Sequence, residues 1–253
     1  MMNIFIDPEG IICQKDRLVD GAIGFLNALC SDGCNIFFLP ILSQTTKHSL
    51  EQLLADGGFS VDPSQIITPA DITALICKAN NIQSPFVLGT QDFRQELSQN
   101  GIHSLTYEDH QKVEAHKMEL MNEIDAVIVA HDPLYSHERA SLGVRYVREK
   151  KVPLFTVEGG HSFCFGGHYV PTSNSLAAMI KTAAMIDPIL IGRPSVNAFK
   201  LHPHSSKLEG ALFIGTQDEL DTPFASEMHC NYIKFENFQE IVEQIELKKN
   251  SLR

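Results

Sequence analysis

Four apolar runs in this sequence end in residues able to do chemistry. They are Ile6-Asp7-Pro8-Glu9-Gly10, Phe38-Leu39-Pro40-Ile41-Leu42-Ser43, Ile191-Gly192-Arg193-Pro194 and Phe213-Ile214-Gly215-Thr216-Gln217-Asp218-Glu219-Leu220-Asp221. Brought to one sheet edge, they would present carboxylates, a guanidinium and hydroxyls around a single point. Hard carboxylate oxygens suit Mg2+, and a planar guanidinium forks onto phosphate oxygens, so the chemistry on offer is that of a metal-assisted phosphate site. Taken singly, an acidic residue at a strand end is most often a turn or cap residue and a lone arginine a surface charge. The joint order of the four runs carries the weight.

The elements that must position these residues follow from apolar spacing. Residues 3–6 are a short β-compatible run stopped by Pro8 and Gly10, and 35–39 form a second run broken at Pro40. Between them Ala22, Ile23, Phe25, Leu26 and Leu29 keep helical spacing up to Gly33, and Leu50, Leu53 and Leu54 mark a helix closed by Gly57-Gly58. The rhythm resumes with strands at 85–89, 125–130 and 152–156 and helices at 92–97 and 136–148. The last third adds runs at 188–192, 211–215 and 232–235 and an amphipathic helix over 238–247. Strands alternating with helices through short connections predict parallel sheet flanked by helices, with ligands at the carboxyl ends of the strands.

Composition narrows the function classes. The chain has 253 residues, 43% of them hydrophobic and 20% charged, which is ordinary for a globular protein. A formal charge of −11, with no basic run longer than Lys150-Lys151 or Lys248-Lys249, argues against nucleic acid and anionic membranes as partners. The apolar runs are too short to span a bilayer, and the N-terminus lacks the basic region of a signal peptide, so the expected location is cytoplasmic. Six cysteines without a Cys-x-x-Cys pair read as free thiols. His161, Cys164 and His168 have ligand chemistry but no recognised zinc spacing. Gly159-Gly160 and Gly166-Gly167 form neither a dinucleotide nor a P-loop fingerprint.

In order and spacing the four runs resemble the haloacid dehalogenase (HAD) superfamily, specifically its NagD-like class IIA phosphatases, over nearly the whole chain. The resemblance implies an α/β fold with a HAD-like Rossmannoid core of parallel sheet, residues 1–80 and 184–253, and an inserted α/β cap of the C2 type, residues 81–183. In that family an Asp-x-Asp-Gly loop follows the first strand, a Thr-Asn-Asn loop the second, a Gly-Lys-Pro segment the cap, and a Gly-Asp-x-x-x-x-Asp-Ile loop comes last. Here those places read Asp7-Pro8-Glu9-Gly10, Pro40-Ile41-Leu42, Gly192-Arg193-Pro194 and Gly215-Thr216 through Asp221-Thr222.

The implied roles follow residue by residue. Asp7 stands at the nucleophile that forms an aspartyl-phosphate, and Glu9 at the acid/base, one methylene longer than the family's Asp. Asp7, the Glu9 carbonyl and Asp221 are the implied Mg2+ ligands, and Arg193 replaces the lysine that neutralises phosphate. Pro40 has lost a phosphate-binding hydroxyl and N–H, which Ser43 is placed to offset in part. Thr216 has lost an acidic metal ligand, with Asp218 and Glu219 as nearby substitutes. The altered motifs imply weak Mg2+ binding and, at best, weak hydrolysis of small phosphate monoesters; a noncatalytic ligand- or partner-binding protein is the alternative. The segment holding His161, Cys164 and His168 falls in the cap, where it would face substrate, and a homo-oligomer through the cap is compatible with the resemblance.

Overall fold

The computed structural model describes residues 2–14, 16–113, 120–165 and 168–251, which leaves Gly166 and Gly167 outside the described residues. The chain forms two compact units. The first comprises Met1–Pro40, Lys47–Ile67 and His204–Arg253, and the second Ile41–Thr46 and Thr68–Pro203. Segments 41–46, 68–80 and 184–203 therefore belong to the second unit, alongside 81–183.

The first unit is built on a four-stranded, wholly parallel sheet in the order Asn231–Lys234, Leu212–Gly215, Asn3–Ile6, Asn35–Phe38. Its central strands are buried on both faces, which is why they read as unbroken apolar runs rather than as alternation. On one face Ile4, Ile6, Leu212 and Ile214 pack with Leu26, Leu50, Leu54, Ile241 and Ile245 from the flanking helices. On helix Ala22–Ser31 the buried residues are Ala22, Phe25, Leu26 and Leu29, a single stripe at helical spacing. Truncating Leu26 to Ala would cost roughly 2–5 kcal/mol through lost burial and the cavity left behind. Phe5 and Phe37 stack at 4.8 Å between ring centroids, and Phe213 meets Phe224 edge-on at 5.7 Å.

Strand order fixes where this unit can hold chemistry. From Asn3–Ile6 the chain moves to the neighbour Asn35–Phe38 on one side, then returns to place Leu212–Gly215 on the other. The order thus reverses between Asn3–Ile6 and Leu212–Gly215, the place where an open α/β sheet opens a crevice beyond its carboxyl ends.

The second unit repeats the construction without the reversal. Its parallel sheet runs Ile189–Leu190, Leu154–Thr156, Val127–Val129, Phe86–Leu88, which is sequence order read backwards. Phe86, Leu88, Val127, Val129 and Leu154 pack with Ala140, Tyr146 and Val147 of helix His137–Glu149 and with Ala177 and Ile180 of helix Ser173–Ala184. The α/β class and parallel sheets agree with the sequence expectation, and the last strand starts one residue earlier than predicted, at Asn231. Helices Pro69–Ala79, Tyr107–Val113, Ser173–Ala184 and Asp218–Glu227 and the hairpins Cys13–Gln14/Arg17–Leu18 and Ser162–Phe165/His168–Pro171 are additional to it. Among the described residues no helix is long and apolar enough to cross a membrane.

Candidate active site

Asp7 is the first residue beyond Asn3–Ile6, and its N–H donates to the Ile214 carbonyl at 2.9 Å, carrying the ladder to the strand end. The side chain is fully buried, and its Oδ1 accepts the Glu9 N–H at 3.2 Å. The chain then doubles back: Ile12 and Cys13 both donate to the Pro8 carbonyl at 2.9 Å. Gly10 closes this turn at φ 81°, a conformation that costs a residue with a side chain far more than glycine. A Cβ added at Gly10 would lie 3.6 Å from the Thr216 Cγ2 methyl, so the loops after the two adjacent strands meet at Thr216.

Asp221 comes to the same strand ends from helix Asp218–Glu227. It is fully buried, its Oδ2 accepts the Gln217 N–H at 2.9 Å, and a side chain at Gly215 would collide with that carboxylate. Asp218, Glu219 and Asp221 occupy the helix's first turn, where the partial positive charge of the N-terminus favours carboxylates. Asp218 is turned to an exposed face, accepting from Lys234 Nζ at 2.8 Å and Tyr232 OH at 2.9 Å, and the lysine foremost holds its carboxyl below the usual range. Glu219 is also exposed. Burial first, then the charges of Glu9 and Asp7, push the Cys13 thiol far above its ordinary range, so the loop carries a negative field beside a protonated thiol.

Ser43 and Arg193 lie in the second unit. Around Ser43 the structure builds a polar network on Glu158, a residue that sequence reasoning missed. Glu158 is buried, and its Oε1 accepts both the Ser43 N–H at 2.8 Å and the Ser43 hydroxyl at 2.5 Å. Its Oε2 accepts the Ser173 N–H at 2.8 Å, while its own N–H donates to Ser173 Oγ at 2.8 Å. Ser43 Oγ in turn accepts the His131 N–H at 2.9 Å. The single hydroxyl proton of Ser43 is thus committed to Glu158, and donating to a phosphate would require breaking that bond. Arg193 is buried in a turn laid along Val157 and Gly159: Gly192 N–H donates to the Val157 carbonyl at 2.9 Å, and a side chain at Gly159 would strike the Arg193 carbonyl. The signal for Glu158 in sequence is a charged residue wedged between an apolar strand and Gly159-Gly160.

In kind, the donors beside Asp7 suit Mg2+, which takes one or two carboxylates and fills the rest of its octahedron with water or substrate oxygens. In number they are few. Among the described residues no group of three His, Cys, Asp or Glu side chains converges as a metal site, and Thr216 offers a methyl at the Gly10 turn. Of the two buried carboxylates, Asp7 accepts the Glu9 N–H and Asp221 the Gln217 N–H. The same test applies to His161, Cys164 and His168. Cys164 pairs with Tyr169 across an exposed hairpin, and no described metal group includes it.

Residues 4–103, which include the whole Asp7 loop, match the family model of the haloacid dehalogenase-like hydrolases. That segment is similar to the haloacid dehalogenase-like hydrolases. Phosphoglycolate phosphatase 2 of Arabidopsis thaliana is 25% identical over 244 residues, covering 90% of this chain and 80% of that protein. NagD from Escherichia coli K-12 superposes with a TM-score of 0.74 at 19% identity, over 95% of this chain and 91% of that one. A glycerol phosphate phosphatase from Mycobacterium tuberculosis, solved in complex with magnesium, gives 0.73 at 15% identity, over 91% of this chain and 66% of that one. The fold is therefore HAD-like.

Proposed function

We propose that this protein is a weak Mg2+-dependent hydrolase of small phosphate monoesters acting through an aspartyl-phosphate on Asp7. The observation that carries the reading is Asp7 itself: a fully buried carboxylate at the end of the first strand, at the reversal of strand order, with Glu9 two residues on. An Asp7 oxygen attacks phosphorus, and the bond from phosphorus to the leaving alkoxide breaks as Glu9, protonated, hands that oxygen its proton. Glu9 then takes a proton from a water that attacks the phosphorus, which releases phosphate and restores the Asp7 carboxylate. Mg2+ held by Asp7 and the Glu9 carbonyl would supply charge neutralisation at the phosphoryl oxygens. Arg193 takes the phosphate-neutralising role and Ser43 a phosphate-binding one on the strength of their places in the sequence, and Asp221 completes the metal set on the same ground.

Three features weaken this chemistry: Pro40 has no N–H to donate, Thr216 has no carboxylate, and the Ser43 proton is held by Glu158. Losing one oriented donor commonly costs about 10²–10³ in rate. The Ser43–Glu158 bond favours the second reading, a noncatalytic protein that keeps the scaffold to bind a small phosphorylated ligand or a partner in the cytoplasm. Turnover of a generic aryl phosphate with Mg2+ separates the two. Slow release abolished by Asp7→Asn supports the hydrolase, and release unchanged by Asp7→Asn rejects it.

A further inference from the structure

The second unit holds a cavity of about 510 Å3 over the ends of strands Phe86–Leu88 and Val127–Val129, within the size range of small-molecule sites. Its wall includes Thr90, Arg94, Thr106, Glu108, Asp132 and Arg139, all in the second unit, so it is made of residues other than those gathered around Asp7. We propose that this cavity binds a small organic anion that also carries a hydroxyl or ammonium donor.

Two groups in the wall have unmet chemistry of opposite kinds. Arg94 stands in the first turn and a half of helix Gln91–Gln99, whose N-terminus is capped by Thr90 Oγ1 accepting the Phe93 N–H at 3.2 Å. Its guanidinium donates to the Gly89 carbonyl and, among the described residues, meets no carboxylate at ion-pair distance. The carboxylates that face the cavity from other elements are already engaged. Glu108 is bound to Arg139, and Asp109 accepts the Thr106 hydroxyl at 2.8 Å and lies 3.5 Å from Lys112 Nζ. A guanidinium without its anion beside a helix N-terminus is a seat for a carboxylate or phosphate.

Asp132 supplies the complement. It is 5% exposed, its Oδ1 accepts the Leu134 N–H at 2.9 Å, and Arg139 approaches its Oδ2 only to 3.8 Å. That buried Oδ2 accepts no hydrogen bond among the described residues, a deficit that a ligand donor would relieve. One negative group for Arg94 and one donor for Asp132 define the ligand class.

The test is calorimetric titration of the full chain in EDTA, which suppresses turnover, with glycerol 3-phosphate as an anion bearing hydroxyls and sulfate as an anion without a donor. Saturable binding of glycerol 3-phosphate is expected, with saturable amide shifts at Thr90 and Leu134 that are at least tenfold weaker in Arg94→Gln. Asp132→Asn should weaken glycerol 3-phosphate and leave sulfate untouched. Should that buried substitution unfold the chain, amide shifts of Thr90 and Leu134 on titrating the wild type give the same answer. No saturable shift of the Thr90 and Leu134 amides, or a shift that survives Arg94→Gln unchanged, would each overturn the proposal. None of these outcomes depends on whether Asp7 turns over a phosphate ester.

Discussion

The two parallel sheets are made by the same physics and end in opposite chemical states. In the first, strand order reverses between Asn3–Ile6 and Leu212–Gly215, and the loops beyond bring Asp7, Glu9, Thr216 and Asp221 together. In the second, the strands follow one another without reversal, and beyond the end of Leu154–Thr156 Glu158 binds Ser43 and Ser173 through hydrogen bonds. A sheet opens a crevice through its topology, whereas the side chains at the strand ends decide whether polar groups stay available. The first unit gathers Asp7 and Asp221 at its strand ends; the second pairs Glu158 with Ser43 and Ser173 and turns Arg94 and Asp132 to a neighbouring cavity.

The contrast breaks most readily at Glu158. Replacing it with Ala strands the Ser43 and Ser173 N–H groups in a buried setting, and a loss of roughly 3–5 kcal/mol in a urea unfolding transition is expected. Glu158→Gln, which keeps an acceptor, should lose less. An unfolding midpoint for Glu158→Ala equal to wild type would show that the network is not what holds segment 41–46 in the second unit.

A smaller effect is expected at Thr68, which caps helix Pro69–Ala79 by accepting the Asp71 N–H at 3.2 Å and donates its hydroxyl to Glu96 Oε1 at 2.9 Å. Thr68→Ala should cost about 1–2 kcal/mol by the same unfolding measurement. The smallest effect belongs to Asp218. Its carboxyl is held low by Lys234 and Tyr232, so the pairing contributes above the ordinary carboxylate pKa and is lost as pH falls through the depressed value. Carbon-detected NMR titration should find Asp218 deprotonating below exposed aspartates, and Lys234→Met should return it to the ordinary range.

The strands were legible because a parallel strand buried on both faces is a continuous apolar run bounded by Gly, Pro or polar residues, as in Phe86–Leu88 and Leu212–Gly215. Helix Pro69–Ala79 escaped because it is buried on nearly every side and shows no stripe. Its Thr68-Pro69-Ala70-Asp71 capping box was the signal available. Asp218–Glu227 looks like a loop because its first turn is acidic, although a helix N-terminus favours that charge. The meeting of the Gly10 turn with Thr216 was readable from strands that had to be neighbours. The engagement of Ser43 was not, since it depends on Glu158, 115 residues away and set before two glycines as any turn residue would be.

The proposal that the Asp7 site lacks a carboxylate at Thr216 is tested most directly by Mg2+ titration calorimetry on the wild type, Thr216→Asp and Asp7→Ala. Wild type should bind weakly, at around millimolar affinity, and Thr216→Asp at least about tenfold more tightly, because added ligand charge at a preformed site raises affinity. Micromolar Mg2+ binding by the wild type that Asp7→Ala abolishes, with no gain in Thr216→Asp, would contradict the account.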